Sequence, residues 1–93
     1  MDHNKEWVSK KIGSYLKNLR VKKRWSQGDL AEAMGYSSNQ FISNIERGVC
    51  VPSPQVIYHL LDSLGEYSEK TVSELLKIQK KYLKAEFQGK KVS

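Results

Sequence analysis

Apolar residues recur at intervals of three and four almost from end to end of this chain, and no stretch shows the alternation of a half-buried strand. In the first segment Val8, Ile12, Tyr15, Leu16 and Leu19 share one helical face, and that helix is expected to end near Lys23. Trp25 follows in a connection and is expected to pack into the core. SQGDLAEAM begins at Ser26, with Asp29 three places on, a capping-box pattern that starts a helix. Leu30, Ala31 and Met34 form its apolar stripe, and Gly35 suits the positive φ with which a chain often leaves a helix. GYSSNQFISNIERG then restarts a helix at Ser37 or Ser38, and Gly48 ends it. The prolines of VCVPSP exclude a helix there. Ser53 caps the next helix with Pro54 at the favoured first position. Val56, Ile57, Leu60, Leu61 and Leu64 form its apolar face, and Gly65 stops it. Ser68 or Thr71 opens a last segment, with Thr71 and Glu74 as a second candidate capping box. That helix is expected to run to about Phe87, leaving QGKKVS as a disordered tail. The pattern predicts an all-α bundle of five helices, the second and third joined by a very tight turn.

The length, 93 residues, suits one small domain with one core and no deep cleft between lobes. The polar start MDHNKEWVSKK lacks the apolar region of a secretory signal, and no run approaches the roughly 20 apolar residues of a membrane span. Cys50 is the lone cysteine, so no intrachain disulfide forms, and a reducing cytoplasm is the expected location. Charge sharpens the picture. Residues 1–25 carry eight basic residues against two acids, 26–69 carry Arg47 against six acids, and 70–93 carry seven lysines against two acids. The net +6 therefore hides basic ends and an acidic middle, a balance that suits either a polyanion partner or simple solubility.

The third segment has an unusual outer face. At about 100° per residue Phe41, Ile42 and Ile45 share one third of the circumference. Gln40, Ser43, Asn44 and Arg47 lie opposite, with Asn39 at the edge. An ordinary solvated face would carry Glu and Lys. Asn and Gln offer a donor and an acceptor together, which matches adenine N6 and N7 in the major groove, while Ser pairs with several bases and Arg with guanine or phosphate.

With P-S-P following, SQGDLAEAMGYSSNQFISNIERG resembles the Cro/CI-type helix-turn-helix repressors, also called the XRE family, over roughly residues 8–66. Ser26-Gln27, Leu30-Ala31, Gly35, Ile42-Ser43, Ile45-Glu46-Arg47-Gly48, Pro52 and Leu61 to Gly65 carry the match. The resemblance implies a lambda-repressor-like bundle of five helices that binds double-stranded DNA, usually as a homodimer on a palindromic operator. It places Gln27 on a phosphate, as a helix N-terminus would allow, and pairs Arg20 with Glu46 between the first and third helices.

The chain departs from the family in two places. Twelve steps usually separate the two glycines, and Gly35 to Gly48 is one more. Counting back from Gly48 puts base reading on Asn39, Gln40 and Asn44; counting forward from Gly35 puts its first two positions on Ser38 and Asn39. The helix phase set by the isoleucines supports the backward count, although a Ser37 N-cap would make Gln40 its capping partner. The loop after the third helix reads Val49-Cys50-Val51 where many relatives carry basic residues. Base reading is thus expected from Asn39, Gln40, Ser43 and Asn44, and phosphate contact from Gln27, Lys22, Lys23, Arg24, Ser38 and Arg47.

Catalysis finds little support. His3 and His59 have no companions at metal-ligand spacing, Cys50 lacks a base, and no glycine loop cradles a phosphate, so neither enzyme, cofactor nor metal is expected. His59 is expected to be partly buried. The last segment carries two apolar stripes: Thr71, Leu75, Ile78, Tyr82 and Ala85, and beside them Val72, Leu76, Leu83 and Phe87. One is expected to pack on the first and fourth helices and the other to meet its copy, with Leu75, Ile78, Tyr82 and Leu83 as dimer contacts. A basic amphipathic helix lying on a membrane is the weaker reading. The chain divides into a helix-turn-helix domain, 1–66, and a dimerising helix with a basic tail, 67–93. The expected function is a sequence-specific transcriptional regulator, a repressor. The competing class is an antitoxin or adaptor whose main role is to hold a toxin or other protein.

Overall fold

The structure, a computed structural model, describes the backbone of residues 3–89 and the side chains of residues 7–81. Five helices follow in order: α1 (His3–Lys22), α2 (Gln27–Ala33), α3 (Gln40–Glu46), α4 (Pro54–Leu64) and α5 (Glu69–Gly89). Among the described residues there is no strand. The core joins Val8, Ile12 and Leu16 of α1, Leu30 and Ala31 of α2, Ile42 and Ile45 of α3, Leu60, Leu61 and Leu64 of α4, and Leu75 of α5. Trp25 packs against its edge.

Local chemistry sets the helix boundaries. Ser26 Oγ accepts from Asp29 N and Asp29 Oδ2 from Ser26 N, a complete capping box at α2. Ser53 Oγ accepts from Val56 N, with Pro54 at the first turn of α4. The box at α5 is Ser68 with Thr71 rather than Thr71 with Glu74: Thr71 N donates to Ser68 Oγ and Ser68 N to Thr71 Oγ1. Thr71 is buried, so its hydroxyl must be satisfied locally, and it also donates to the Glu66 carbonyl at 2.6 Å. Glu74 instead faces Lys77 at 3.5 Å.

The first four helices close in the same way. At α1 the Trp25 N–H donates to the Arg20 carbonyl and the Arg24 N–H to the Val21 carbonyl, the paired bonds of a Schellman motif. The same pair of bonds recurs around Gly35, Gly48 and Gly65, each with φ between 73° and 81°. At α1 the left-handed position holds Arg24, φ 66°, the one non-glycine with positive φ among the described residues.

Several expectations need correction. The link between α2 and α3 is not a very tight turn. Helix three starts at Gln40 rather than at Ser37 or Ser38, and Tyr36 to Asn39 run as irregular chain. The extra residue is absorbed there because Ile42 and Ile45, both fully buried, hold the phase of α3. Tyr36 and Phe41 meet edge to face at 5.7 Å and close the link onto the core. His59 is exposed, because it lies outside the face of α4 that Leu60, Leu61 and Leu64 bury. Gln88 and Gly89 belong to α5 rather than to a tail, and residues 90–93 lie outside the described residues.

Helix α1 packs on both α3 and α5. Its approach to α3 is backbone to backbone. A Cβ at Gly13 would fall on the carbonyl oxygen of Ile45 and within 2.9 Å of that of Glu46. A Cβ at Gly48 would come within 2.9 Å of Lys10 Cα, and the Ser9 hydroxyl donates to the Gly48 carbonyl at 3.0 Å. Trp7 and Lys11 share a groove with residues as far along α5 as Lys81, whereas Tyr15 lies near Glu66 and Glu74, so α1 and α5 run antiparallel. Burial first, and then those two charges, push the Tyr15 phenol above the ordinary pKa.

The same substitution should have opposite signs at two helical glycines. Gly13→Ala adds helix propensity worth about 1 kcal/mol, but it forces α1 from α3 and is expected to destabilise by about 1–3 kcal/mol overall. Gly28→Ala meets only Ser26 Oγ at 3.6 Å and should stabilise by about 0.5–1 kcal/mol. Urea unfolding of both variants checks the pair; equal signs would contradict this account of the crossing.

Candidate nucleic-acid interface

Helix α3 is held from within and open without. Ile42 and Ile45 are completely buried. Ser43 and Asn44 are half-buried, and Asn39, Gln40 and Arg47 are exposed. Asn39 is the N-cap but makes no side-chain capping bond, which leaves its amide free of the helix. Gln40 does not act as a capping partner either: its backbone N–H donates to Ser38 Oγ at 3.4 Å, and its side chain points along the helix. Gln40 Nε2 donates to Asn44 Oδ1 at 3.0 Å, and Arg47 Nη2 donates to the same oxygen at 2.6 Å. The three residues therefore form one hydrogen-bonded ridge along the outer face, at the i,i+4 and i,i+3 spacings that place side chains side by side. The Asn44 amide N–H groups and the Gln40 Oε1 make no hydrogen bond among the described residues. The ridge thus offers donors and an acceptor at once, the pattern that matches base edges.

The far end of α3 is clamped by a buried ion pair. Arg20 Nε donates to Glu46 Oε2 at 2.6 Å and Arg20 Nη2 to Glu46 Oε1 at 2.9 Å, a bidentate contact. The two side chains are 9% and 4% exposed. Arg20 Nη1 donates to the Trp25 carbonyl at 2.6 Å, so the same guanidinium holds the connection between α1 and α2. Hydrogen bonding to Glu46 raises the Arg20 pKa above its ordinary value; burial opposes that rise and the Glu46 charge adds to it.

Gln27 joins this network, which its sequence position did not reveal. Its Nε2 donates to Glu46 Oε1 at 3.0 Å, and the residue is half-buried. One amide hydrogen is thereby spent inside the protein; the second is left to donate outward. Glu46 thus orients Gln27 at the start of α2 as well as Arg20 on α1. At the corner after α1, Lys22, Lys23 and Arg24 are all exposed. Lys23 Nζ stands 4.9 Å from the centroid of the Trp25 ring, a cation–π contact that steers its direction.

Sequence reasoning overlooked Gly13, whose missing side chain lets α1 and α3 touch. A glycine in the middle of a good helix pattern was the available signal. Leu75 and Ile78, expected as contacts between two copies, are seated in the domain itself. Leu75 is 6% exposed inside the domain's own core and Ile78 packs against it, whereas Leu76 is 56% exposed. The Thr71–Leu75–Ile78 edge of α5 is thus the one turned toward the core. Tyr82 and Leu83 have side chains outside the described residues. No cluster of His, Cys, Asp or Glu that would hold a metal occurs among the described residues, and no helix there is long and apolar enough to cross a membrane.

Truncating one partner of the clamp leaves the other charge buried and alone. Glu46→Ala or Arg20→Ala is therefore expected to destabilise by about 3–5 kcal/mol. The double variant should cost clearly less than the sum of the two. A double-mutant cycle by thermal or urea unfolding measures this; additive losses would show that the pair is not coupled.

Residues 11–76, more than half of the chain, match the family model described as a helix-turn-helix domain. No curated protein and no solved structure matches the chain. The family match spans the capped α2, the link and the clamped α3, and it agrees with the resemblance to the Cro/CI type. The chain belongs to the helix-turn-helix domain family of DNA-binding proteins.

Proposed function

We infer that the protein is a sequence-specific transcriptional regulator, a repressor, which inserts α3 into the major groove of double-stranded DNA. The observation that carries this reading is the Gln40–Asn44–Arg47 ridge, uncharged over most of its length and mounted on a helix that buries Ile42 and Ile45 completely on its other side. A face built for phosphate attraction alone would be rich in lysine. Asn39, Gln40, Ser43 and Asn44 read bases, with Asn44 exchanging its internal partners for adenine or another base edge. Arg47, Ser38, Gln27 and the Lys22–Lys23–Arg24 corner contact phosphates and fix the register.

The reading includes a homodimer on a palindromic operator, with two copies of α3 about one DNA turn apart, roughly 34 Å. Its contact surface is the exposed side of α5 at Val72 and Leu76, beside Tyr58 and Tyr67, where an uncharged groove of about 360 Å³ opens between α4 and α5. Tyr58 and Tyr67 stack edge to face at 4.8 Å along its rim. Leu83 continues the Val72–Leu76 stripe at helical spacing. The placement of the domain in the cytoplasm follows from this role. The same groove would serve an antitoxin or adaptor that holds a protein partner, and the polar ridge of α3 favours the regulator.

Selection of bound duplexes from random DNA, repeated over a salt series, tests the reading. A palindromic consensus with a steep salt dependence is expected. A single unrepeated half-site would remove the dimer, and absence of any consensus would remove sequence reading altogether. On the selected site Asn44→Ala should lose about 1–3 kcal/mol while nonspecific binding barely changes.

Arg24 provides a second, sharper test. A side chain in the left-handed region costs about 1–2 kcal/mol, part of which the greater chain entropy of an unfolded glycine would take back. Arg24→Gly should therefore raise stability by about 0.5–1 kcal/mol while lowering the salt slope of DNA binding by about one. Stability and slope are read on the same sample, and an unchanged slope would place Arg24 outside the DNA contact.

A further inference from the structure

A second groove lies on the opposite side of α5. It is bordered by Trp7 and Lys11 of α1 and by Glu74, Lys77, Ile78, Lys80 and Lys81 of α5, and it holds about 430 Å³. The floor is apolar, with Ile78 packed on the core and Trp7 37% exposed. Among the described residues the rim is basic: four lysines face one glutamate, and the Glu74–Lys77 contact at 3.5 Å is its one ion pair. Nothing in the DNA-reading account uses these residues.

Helix phase separates the groove from α3. On α1, Ser9, Gly13 and Arg20 touch α3 or the turn that closes it and fall within about 40° of one another at 100° per residue. Trp7 and Lys11 fall roughly 120–180° from them on the same wheel. A duplex lying on α3 therefore meets the other side of α1. On α5, Val72, Leu76 and Gln79 line the uncharged groove, while Glu74, Lys77 and Lys81 line the basic one, again on nearly opposite faces.

We propose that the α1–α5 groove around Trp7 docks an acidic, amphipathic helical segment of a protein partner. The charge of the rim sets the sign of that partner, and the indole and Ile78 require an apolar anchor between its carboxylates. Two antiparallel helices with a trough between them accept a third helix lengthwise, reading anchors at three- and four-residue spacing. The lysines contribute long-range attraction and rim contacts, and Trp7 supplies the buried area at the centre, where single aromatic residues dominate binding. The site is independent of the DNA interface, so one molecule can hold DNA on α3 and an acidic partner on the back of α1.

The probe is a synthetic helical peptide with leucines at three-four spacing on one face and glutamates on the rest. It is titrated into the full chain while ¹⁵N-labelled backbone and indole signals are followed by NMR. Saturable shifts of the Trp7 indole and of Lys77–Lys81 are expected, with the Gln40 and Asn44 side-chain amides unmoved. Trp7→Ala should weaken binding at least about tenfold. Lys80→Glu with Lys81→Glu, both exposed, should do the same without touching the core, and neither variant should change affinity for duplex DNA. Peptide that fails to saturate, or that binds these variants unchanged, overturns the proposal. So does duplex DNA that shifts Trp7 and loses affinity in the Lys80→Glu, Lys81→Glu variant, which would make the groove part of the DNA footprint. Loss of self-association in Trp7→Ala would assign the groove to a second copy instead.

Discussion

Everything that presents α3 depends on how closely α1 is allowed to approach it. Gly13 removes the one side chain that would stand between the α1 backbone and the carbonyls at the end of α3. That contact brings Glu46 to Arg20, and the pair then reaches further: Arg20 also holds the Trp25 carbonyl, and Glu46 also holds Gln27. One carboxylate is shared by the C-terminal end of α3, the last full turn of α1 and the first turn of α2. A buried ion pair is weak evidence for net stability, since its desolvation offsets much of its attraction. Its value here is geometric. A bidentate guanidinium–carboxylate contact fixes distance and plane together, and a helix of seven residues has too few internal bonds to fix its own direction.

The outer ridge of α3 shows how a rigid mount and an adaptable surface coexist. Asn44 Oδ1 accepts from both Gln40 and Arg47, so the ridge is satisfied before any partner arrives. In the proposed reading, exchange of these bonds for bonds to a base would replace like with like and require no backbone movement. The side chains are confined to a narrow set of positions by their mutual contacts, which lowers the ordering cost of recognition. The buried isoleucines keep that set aligned with the rest of the domain.

Much of this was legible in the residues. The boundaries of α2 and α4 follow from Ser26–Asp29 and Ser53–Pro54, and the ends of three helices from glycines, because caps and left-handed closures are local chemistry. The phase of α3 follows from Ile42 and Ile45, which explains why the longer link displaces the start of the helix and leaves the ridge in place. Other features were not legible because they arise between segments. Nothing local marks Ser68 rather than Thr71 as the first cap of α5; burial of Thr71, whose hydroxyl is spent on Ser68 and the Glu66 carbonyl, decides it. Which stripe of α5 faces inward depends on the antiparallel seat against α1, and single-helix periodicity gives two equal stripes. The partner of Gln27 lies 19 residues away, beyond any spacing rule.

The acidic middle of the chain opposes DNA binding only while charge is counted along the sequence. Of the six acids between residues 26 and 69, Glu46 is neutralised by Arg20 in a buried pair, and Asp29 is spent on the N-terminus of α2. Glu32 is exposed on α2, while Asp62, Glu66 and Glu69 belong to the end of α4 and the start of α5. The side chains of the α3 ridge carry no acid at all, and Lys22, Lys23 and Arg24 stand at the corner where α1 gives way to α2. Screening acts within about 8–10 Å at ordinary ionic strength, so the local sign matters more than the total. Left-handed closure at Arg24 fits the same logic. A glycine would suit the backbone better, and the arginine retains a positive charge at that corner at some expense in stability. The formal balance of the segment is therefore a poor guide to its field, because folding has already assigned the one acid of α3, Glu46, to an internal partner.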